Sequence, residues 1–303
     1  MVMTVKIVET CAQDVLGWPP NRKWESKDKD ERIRSFFGAS SVVLVDLWNR
    51  LKTQDLDTGA TLKHLLWSLV FLKVYASSEV LCAIVGWPNR KTFAKWVWYF
   101  VERIAELKDD LIRLEDRFNG LGDVATTNVF ISVDGTDCPV FEPQPFSRSM
   151  FSQKFNGPGL KYEVAVCLKT GLMVWTNGPF EGSTSDGTIF QQSLSGRLFD
   201  DEGVEVDRGY KGDDKMKPPH MGGTSEKRKM KSNARAQQEA MNGRLKQFNV
   251  LAAHFRHMSG GKETMMARHG HCFDAVAVIT HLKLTVGGES IFEAGLDYDV
   301  NYF

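Results

Sequence analysis

The sequence predicts an all-α region followed by an α/β domain with a mixed sheet flanked by helices. Three observations carry this. Between residues 61 and 114 apolar side chains recur at helical spacing. Beyond residue 128 the texture changes to short β-branched and aromatic runs separated by Gly-containing turns. Acidic residues then fall at the ends of two such runs, Asp134 in NVFISVDGTDCPVF and Asp207 in VEVDRGY, and Glu239 falls on a later helical stretch.

Composition narrows the partners. With 42% hydrophobic residues the chain has enough apolar material for two domains or one large one. Lys+Arg and Asp+Glu both number 38, so any nucleic-acid interface has to be a local patch, not a global charge. The cysteines (Cys11, Cys82, Cys138, Cys167, Cys272) are scattered and odd in number, with no CxxC, which favours reduced thiols over a disulfide framework. No apolar run reaches membrane-spanning length, and MVMTVKIVETCAQD lacks a signal-peptide layout. The expectation is a protein with no membrane association.

Residues 1–30 end in the charge-dense NRKWESKDKDER and read as a flexible lead-in. Ile33, Phe36, Phe37, Val43, Leu44, Leu47 and Leu51 predict one or two short helices. Leu62, Leu65, Leu66, Leu69 and Val70 follow the spacing of an amphipathic helix. Ser77 or Ser78 caps a second helix that stops at Gly86, and Trp87-Pro88 makes a corner. Asn89 caps a third, whose stripe includes Phe93, Trp96, Val97, Phe100, Val101, Ile104, Leu107, Leu111 and Leu114. Its exposed first turns carry Arg90, Lys91 and Lys95. This is the layout of a helix-turn-helix, whose last helix offers its first turns to the major groove. An ordinary helical hairpin with a solvated basic end has the same pattern. RFNGLGDVATTN, with Gly120 and Gly122, reads as the linker.

In the second region Val129, Phe130, Ile131 and Val133 predict a buried strand ending on Asp134, with Gly135 and Thr136 breaking it and Asp137 following. A polar loop leads to a hairpin, KYEVAVCLKTG and LMVWTNGPF. Thr188–Phe199 has a helical pattern, and Val204–Val206 is a short strand ending on Asp207. Residues 211–235 hold a basic run densest at EKRKMK, which a solvated loop also explains. Ala234–Val250 predicts a helix with Glu239, Arg235, Asn242 and Lys246 on one face. Cys272–Leu284 closes the domain, and the last residues are left unassigned.

A single Asp after a strand is ordinarily a turn residue or a helix cap. Three acidic positions in distinct local contexts, without a Ser, Cys or His nucleophile arrangement, point instead to a site for a hard metal ion. His254, His257, His269, His271 and Cys272 have a zinc-like composition, but HxxH and HxHC fit no standard structural zinc spacing, so they read as capping or packing residues. Three strands, a helix, a strand and a helix, with carboxylates on the first strand, the fourth strand and the last helix, is the order of the ribonuclease-H-like fold.

VDGTD (133–137), GSTSD (182–186), VDRGY (206–210) and NARAQQEAMNGRLKQF (233–248) resemble the DDE transposases of the PIF/Harbinger superfamily. The resemblance covers roughly residues 128–284 and implies Asp134, Asp207 and Glu239 as catalytic metal ligands. Asp137 and Asp186 stand as accessory positions of open role. It further implies Mg²⁺ or Mn²⁺, expected as the pair of ions that stabilises attacking and leaving oxygens of an in-line displacement. Water as nucleophile would nick a transposon end, and the freed 3′-hydroxyl would join it to target DNA. Arg235, Lys246 and the basic loop would hold DNA phosphates.

The expected organisation is therefore a lead-in (1–30), a helix-turn-helix DNA-binding region (31–118), a catalytic domain (119–285) and a tail (286–303). Expected partners are double-stranded DNA, a separate DNA-binding protein and further copies of the chain. Nuclear residence is expected, with KRKMK (227–231) as an import signal. Two other readings stay open: a transposase-derived protein that binds DNA or a partner without cutting, and a nuclease without strand transfer.

Overall fold

A computed structural model describes residues 2–19, 25–119, 128–145, 147–207, 209–217, 225–257 and 259–291, excluding the side chains of Ser26 and residues 225–231. The chain forms two compact units that alternate along the sequence. One comprises Met1–Lys108, Leu245–Ala253 and His271–Glu289; the other comprises Asp109–Arg244, His254–Gly270 and Ser290–Phe303. The single boundary expected near residue 118 is thus replaced by several. Segments 245–253 and 271–289 rejoin the helical unit through fully buried side chains, among them Leu245, Phe248, Leu251, Phe273, Val276 and Ile279. Most of the expected linker, the KRKMK side chains and residues 292–303 of the expected tail lie outside the described residues.

The helical unit opens with α1 (Val5–Val15), α2 (Ser26–Phe37), α3 (Ser41–Thr53), α4 (Leu62–Val74), α5 (Ser78–Ile84) and α6 (Arg90–Ala105). The lead-in is not loose. Val8, Ala12 and Val15 recur at i, i+4, i+7 and are buried, and the Thr4 hydroxyl accepts from the Ile7 amide to cap α1. The charge density that suggested disorder belongs to the N-terminal part of α2 and the residues before it. Helix α4 is the hub: Leu62 and every residue from Leu65 to Leu72 are buried, and it touches α1, α2, α5 and α6. The α4–α5–α6 trio starts where predicted. Ser77 accepts from the Val80 amide and Asn89 from the Lys91 amide, which caps α5 and α6. Gly86 (φ 86°) and Trp87 (φ 57°) make the corner between them. Helix α6 ends at Ala105, so Leu107, Leu111 and Leu114 of the predicted stripe fall beyond it. Lys108–Leu111 form a separate single-turn α7.

The second unit is built on a six-stranded sheet. Its strands are β1 (Val129–Pro139), β2 (Phe151–Ser152), β3 (Gly157–Cys167), β4 (Met173–Glu181), β5 (Gly203–Val206) and β6 (Met216–Lys217). Strand β3 runs antiparallel between β4 and β1, and β2 pairs with its first residues. On the other side of β1, strands β5 and β6 are parallel. Helix α8 (Asp186–Gln192) follows β4, and α9 (Ser225–Lys246) follows β6. The chain then adds α10 (Asn249–Ala252) and α11 (Gly261–Thr285).

Strand β1 differs from its prediction. It does not stop at Gly135 but runs to Pro139, because β3 pairs with it from Ile131↔Cys167 through Pro139↔Gly159. That ladder supports residues whose own strand propensity is low. The two faces of the strand alternate. Ile131 and Val133 pack with Phe190 and Leu194 in and after α8, while Ser132, Asp134 and Thr136 occupy the other face.

Candidate active site

Asp134 lies where the parallel half of the sheet ends. Val133 pairs with Val206 in parallel register, so the residues that follow, Asp134 on β1 and Asp207 just past the end of β5, are neighbours. Adjacent strands are about 4.8 Å apart, close enough for the two carboxylates to feel each other. Asp207 is exposed, and its carbonyl accepts from the Tyr210 amide.

Asp134 is tied down on both oxygens. The Gly135 amide donates to Oδ1 at 2.9 Å, and Asn242 Nδ2 donates to Oδ2 at 2.9 Å. Its pKa is nevertheless pushed up to about 6. Burial is the main cause; the Gly135 amide and Lys154 oppose it, while Asp186 and Asp207 reinforce it.

Helix α9 supplies the third expected carboxylate. Its inner face is fixed by Gln238, whose amide donates to the Val164 carbonyl at 2.8 Å, and by Gln237, which reaches the Leu168 carbonyl. Arg235, Glu239 and Asn242 recur at i, i+4, i+7, and Asn242 is the member that touches Asp134. Glu239 is engaged by Arg235 (2.9 Å, both more than half exposed). The Arg235 guanidinium is held charged first by Glu239, then by Asp207 and Asp134. Among the described residues no three His, Cys, Asp or Glu side chains make a ready-formed metal site. Asp134 is bonded to Asn242 and the Gly135 amide, and Glu239 to Arg235.

The accessory aspartates separate. Asp186, in the first turn of α8, pairs with Lys161 at 3.1 Å and packs on Gly135 so closely that an added Cβ would stand 2.4 Å from its Oδ1. Asp137 is buried at the far end of β1 and accepts from the Ser152 hydroxyl. Lys246 donates to the Leu251 carbonyl at 3.1 Å, so its ammonium already serves the chain beyond α9 instead of standing open to phosphate. Among the histidines of zinc-like composition, Tyr162 Oη and His269 Nδ1 are 2.6 Å apart, the His254 and Phe141 rings pack at a tilt with centroids 5.5 Å apart, and burial lowers the His257 pKa to about 4.

Two residues of this neighbourhood were not singled out from sequence. Glu163 pairs in register with Gly135, is 1% exposed, accepts from Trp175 Nε1 and Ser193 Oγ, and is pushed up to about 7 chiefly by burial. A charged residue in the middle of KYEVAVC, a run otherwise reading as buried strand, was the available signal. Tyr210 is buried, and its phenol is pushed well up by burial and then by Asp186, Asp134, Glu163 and Asp207.

One comparison with known families bears on this stretch. Residues 133–281 match the DDE superfamily endonuclease family. The match supports a DDE transposase-type nuclease with a ribonuclease-H-like fold and DNA as its substrate. Comparison with curated proteins and with solved structures gives no match. No helix among the described residues is long and apolar enough to cross a membrane.

DDE endonucleases typically use divalent metal ions. The residues here fit such an ion. The donors are all oxygens, as a hard cation requires. Asn242 Oδ1 is buried beside Asp134 with no hydrogen-bond partner among the described residues, an acceptor left for a cation or a proton. Asp134 and Asp207 would hold the ion, with Glu239 joining from α9.

Proposed function

We propose that this chain is a transposase of the PIF/Harbinger type, which cuts transposon ends and transfers the 3′ end to target DNA. The observation that carries the reading is the register of β1 with β5: it sets Asp134 beside Asp207 inside the stretch that matches the endonuclease family. Asp134, Asp207 and Glu239 are its catalytic residues. The cofactor is Mg²⁺ or Mn²⁺, as a pair of ions, and when bound it supplies positive charge to the attacking and leaving oxygens of the phosphodiester.

The chain's own groups prepare that chemistry. Asp134 must ionise to bind a cation, and the amides of Gly135 and Asn242 stabilise its ionised form. Glu239 has to leave Arg235 to join the site, and this frees the Arg235 guanidinium for a DNA phosphate. In the same reading α4–α6 form a helix-turn-helix that binds double-stranded DNA through Arg90, Lys91 and Lys95. The working form is a homo-oligomer in the nucleus, together with a separate DNA-binding protein.

The test is a nicking and strand-transfer assay on supercoiled plasmid with Mg²⁺ or Mn²⁺, using the whole chain and Asp134→Asn. The expected result is metal-dependent nicking by the wild type and none by the variant, with DNA binding retained by both. Binding without nicking by the wild type would establish instead a transposase-derived binding protein. Nicking without end joining would leave a nuclease that does not transfer strands.

A further inference from the structure

The two ends of the Asn242 side chain are treated unequally. Its Nδ2 donates to Asp134 Oδ2 at 2.9 Å, while its Oδ1 is buried with no hydrogen-bond partner among the described residues. A buried acceptor left unmet is costly. Donating to Asp134 does not by itself account for that oxygen.

Gln238, one helical turn earlier, shows what differs at 242. Its Nε2 donates to the Val164 carbonyl at 2.8 Å, and Val164 is the residue that pairs with Asp134 in register. Two successive turns of α9 are thus pinned to β3 and β1. A backbone carbonyl only accepts, so the Gln238 amide is locked with its nitrogen toward the sheet. The partner of Asn242 is a carboxylate, which can accept an N–H or share a cation with an oxygen. A carboxamide is flat and its two ends are nearly equal in size, so half a turn about its last bond exchanges Oδ1 and Nδ2. An oxygen in the place of Nδ2 stands 2.9 Å from Asp134 Oδ2. Neighbouring oxygens around an octahedral Mg²⁺, with bonds of about 2.0–2.1 Å at right angles, are about 2.9 Å apart.

We propose that Asn242 is a fourth ligand of the metal site: its side-chain oxygen joins Asp134 on a divalent cation, and in the metal-free protein the same side chain, turned over, donates to the carboxylate instead. The inference rests on the endonuclease reading and deepens it. A neutral ligand suits this place. It adds an oxygen without a further negative charge beside Asp134 and Asp207, and it satisfies Asp134 while no cation is there. It also gives α9 an oxygen donor already at Asp134, whereas Glu239 has to leave Arg235 first.

The test reads metal binding directly, on the whole chain without DNA, by calorimetric titration with Mn²⁺ and by the EPR signal of the free ion. Asn242→Ala is expected to bind Mn²⁺ about tenfold more weakly than the wild type, and its thermal transition to rise less on adding Mn²⁺. Asn242→Asp keeps an oxygen and loses the N–H. It is expected to bind at least as tightly as the wild type, and to melt lower only while metal is absent. A residue that served Asp134 solely as a donor would lose affinity in both variants. Labelling separates coordination from charge and needs no variant to fold. With ¹³C at the asparagine carboxamide carbon, pulsed EPR of Mn²⁺ bound to the wild type is expected to show a carbon coupling, which Asn242→Ala lacks. If the wild type binds Mn²⁺ without that coupling, or if the two variants both match it or both bind more weakly, the assignment of Asn242 is overturned while the endonuclease reading stands. If the wild type neither binds Mn²⁺ nor nicks plasmid with it, the endonuclease reading falls and this assignment with it.

Discussion

Asn242 donates its side-chain amide to Asp134 Oδ2 at 2.9 Å, joining α9 to β1 across 108 positions of sequence. Asn242 sits one helical turn beyond Glu239, so the same bond that stabilises the Asp134 carboxylate sets the position of the helix face that carries Glu239. Removing a hydrogen bond to the charged form raises a carboxyl pKa further. Asn242→Ala is therefore expected to move the acid limb of the nicking rate to higher pH at subsaturating metal. It should also cost about 1 kcal/mol of stability. A pH–rate profile beside the wild type checks this; an unmoved limb would detach Asn242 from Asp134's ionisation.

Asp134 itself gives a pH-dependent stability. Its pKa in the fold, about 6, lies above the ordinary value of 3.8. The folded state therefore binds the proton more tightly than the unfolded chain does, and ionising Asp134 destabilises the metal-free protein. That penalty is fully present above about pH 6 and fades as pH falls through 6 toward 4. Asp134→Asn should raise metal-free stability by about 1–3 kcal/mol at pH 8 and by little at pH 4. Thermal melts at the two pH values, with a chelator present, measure the difference. An equal effect at both would show that the carboxyl's charge is not what the fold resists.

Gly135 leaves no room for a side chain beside Asp186. An alanine at 135 would bring its Cβ to 2.4 Å from Asp186 Oδ1, and that oxygen is held by Lys161. Gly135→Ala should cost about 1–3 kcal/mol and reduce nicking, because relief requires moving either α8 or the strand beside Asp134. The double variant Gly135→Ala/Asp186→Ala should lose less than the sum of the two single changes, by about 1 kcal/mol or more. Denaturant melts of all four proteins complete the cycle, and strictly additive losses would exclude the steric account.

Much of this site was legible because it rests on local pattern. The run Val129–Val133 announced β1, Val204–Val206 announced β5, and both end on the aspartates that the parallel register makes neighbours. What local pattern could not convey was tertiary support. Gly135, Thr136 and Asp137 read as a break, yet nine residue pairs with β3 carry the strand to Pro139. Glu163 hid in the same way, because its partners Trp175 and Ser193 come from later segments. The regrouping of residues 245–253 and 271–289 with the helical unit depends on contacts far apart in sequence, which spacing alone does not reveal. At Glu239 the helical face was predicted, and its pairing with Arg235 is the ordinary i, i+4 ion pair of an exposed helix face.

The first turns of α6 carry the last prediction. Arg90, Lys91 and Lys95 are exposed, Lys95 lies 4.6 Å over the Trp96 ring, and Arg90 pairs with Glu79 of α5 at 2.9 Å. Both members of that pair are more than half exposed, so it adds little to the fold, but it offsets the positive charge of this surface. If these turns meet DNA, each lost phosphate contact lowers the log–log salt slope by about one. Neutralising Arg90, Lys91 and Lys95 together should weaken duplex binding and flatten its slope by up to about three. Glu79→Gln should act in the opposite direction, freeing Arg90 and removing a repelling charge, and should tighten binding by about two- to fivefold at low salt. The measurement belongs on the whole chain, because residues 245–253 and 271–289 are part of the same compact unit and a 31–118 fragment omits them. Fluorescence anisotropy across salt reads both variants. Unchanged binding in the triple variant, with Glu79→Gln also inert, would mark α6 as an ordinary helix with a solvated basic end.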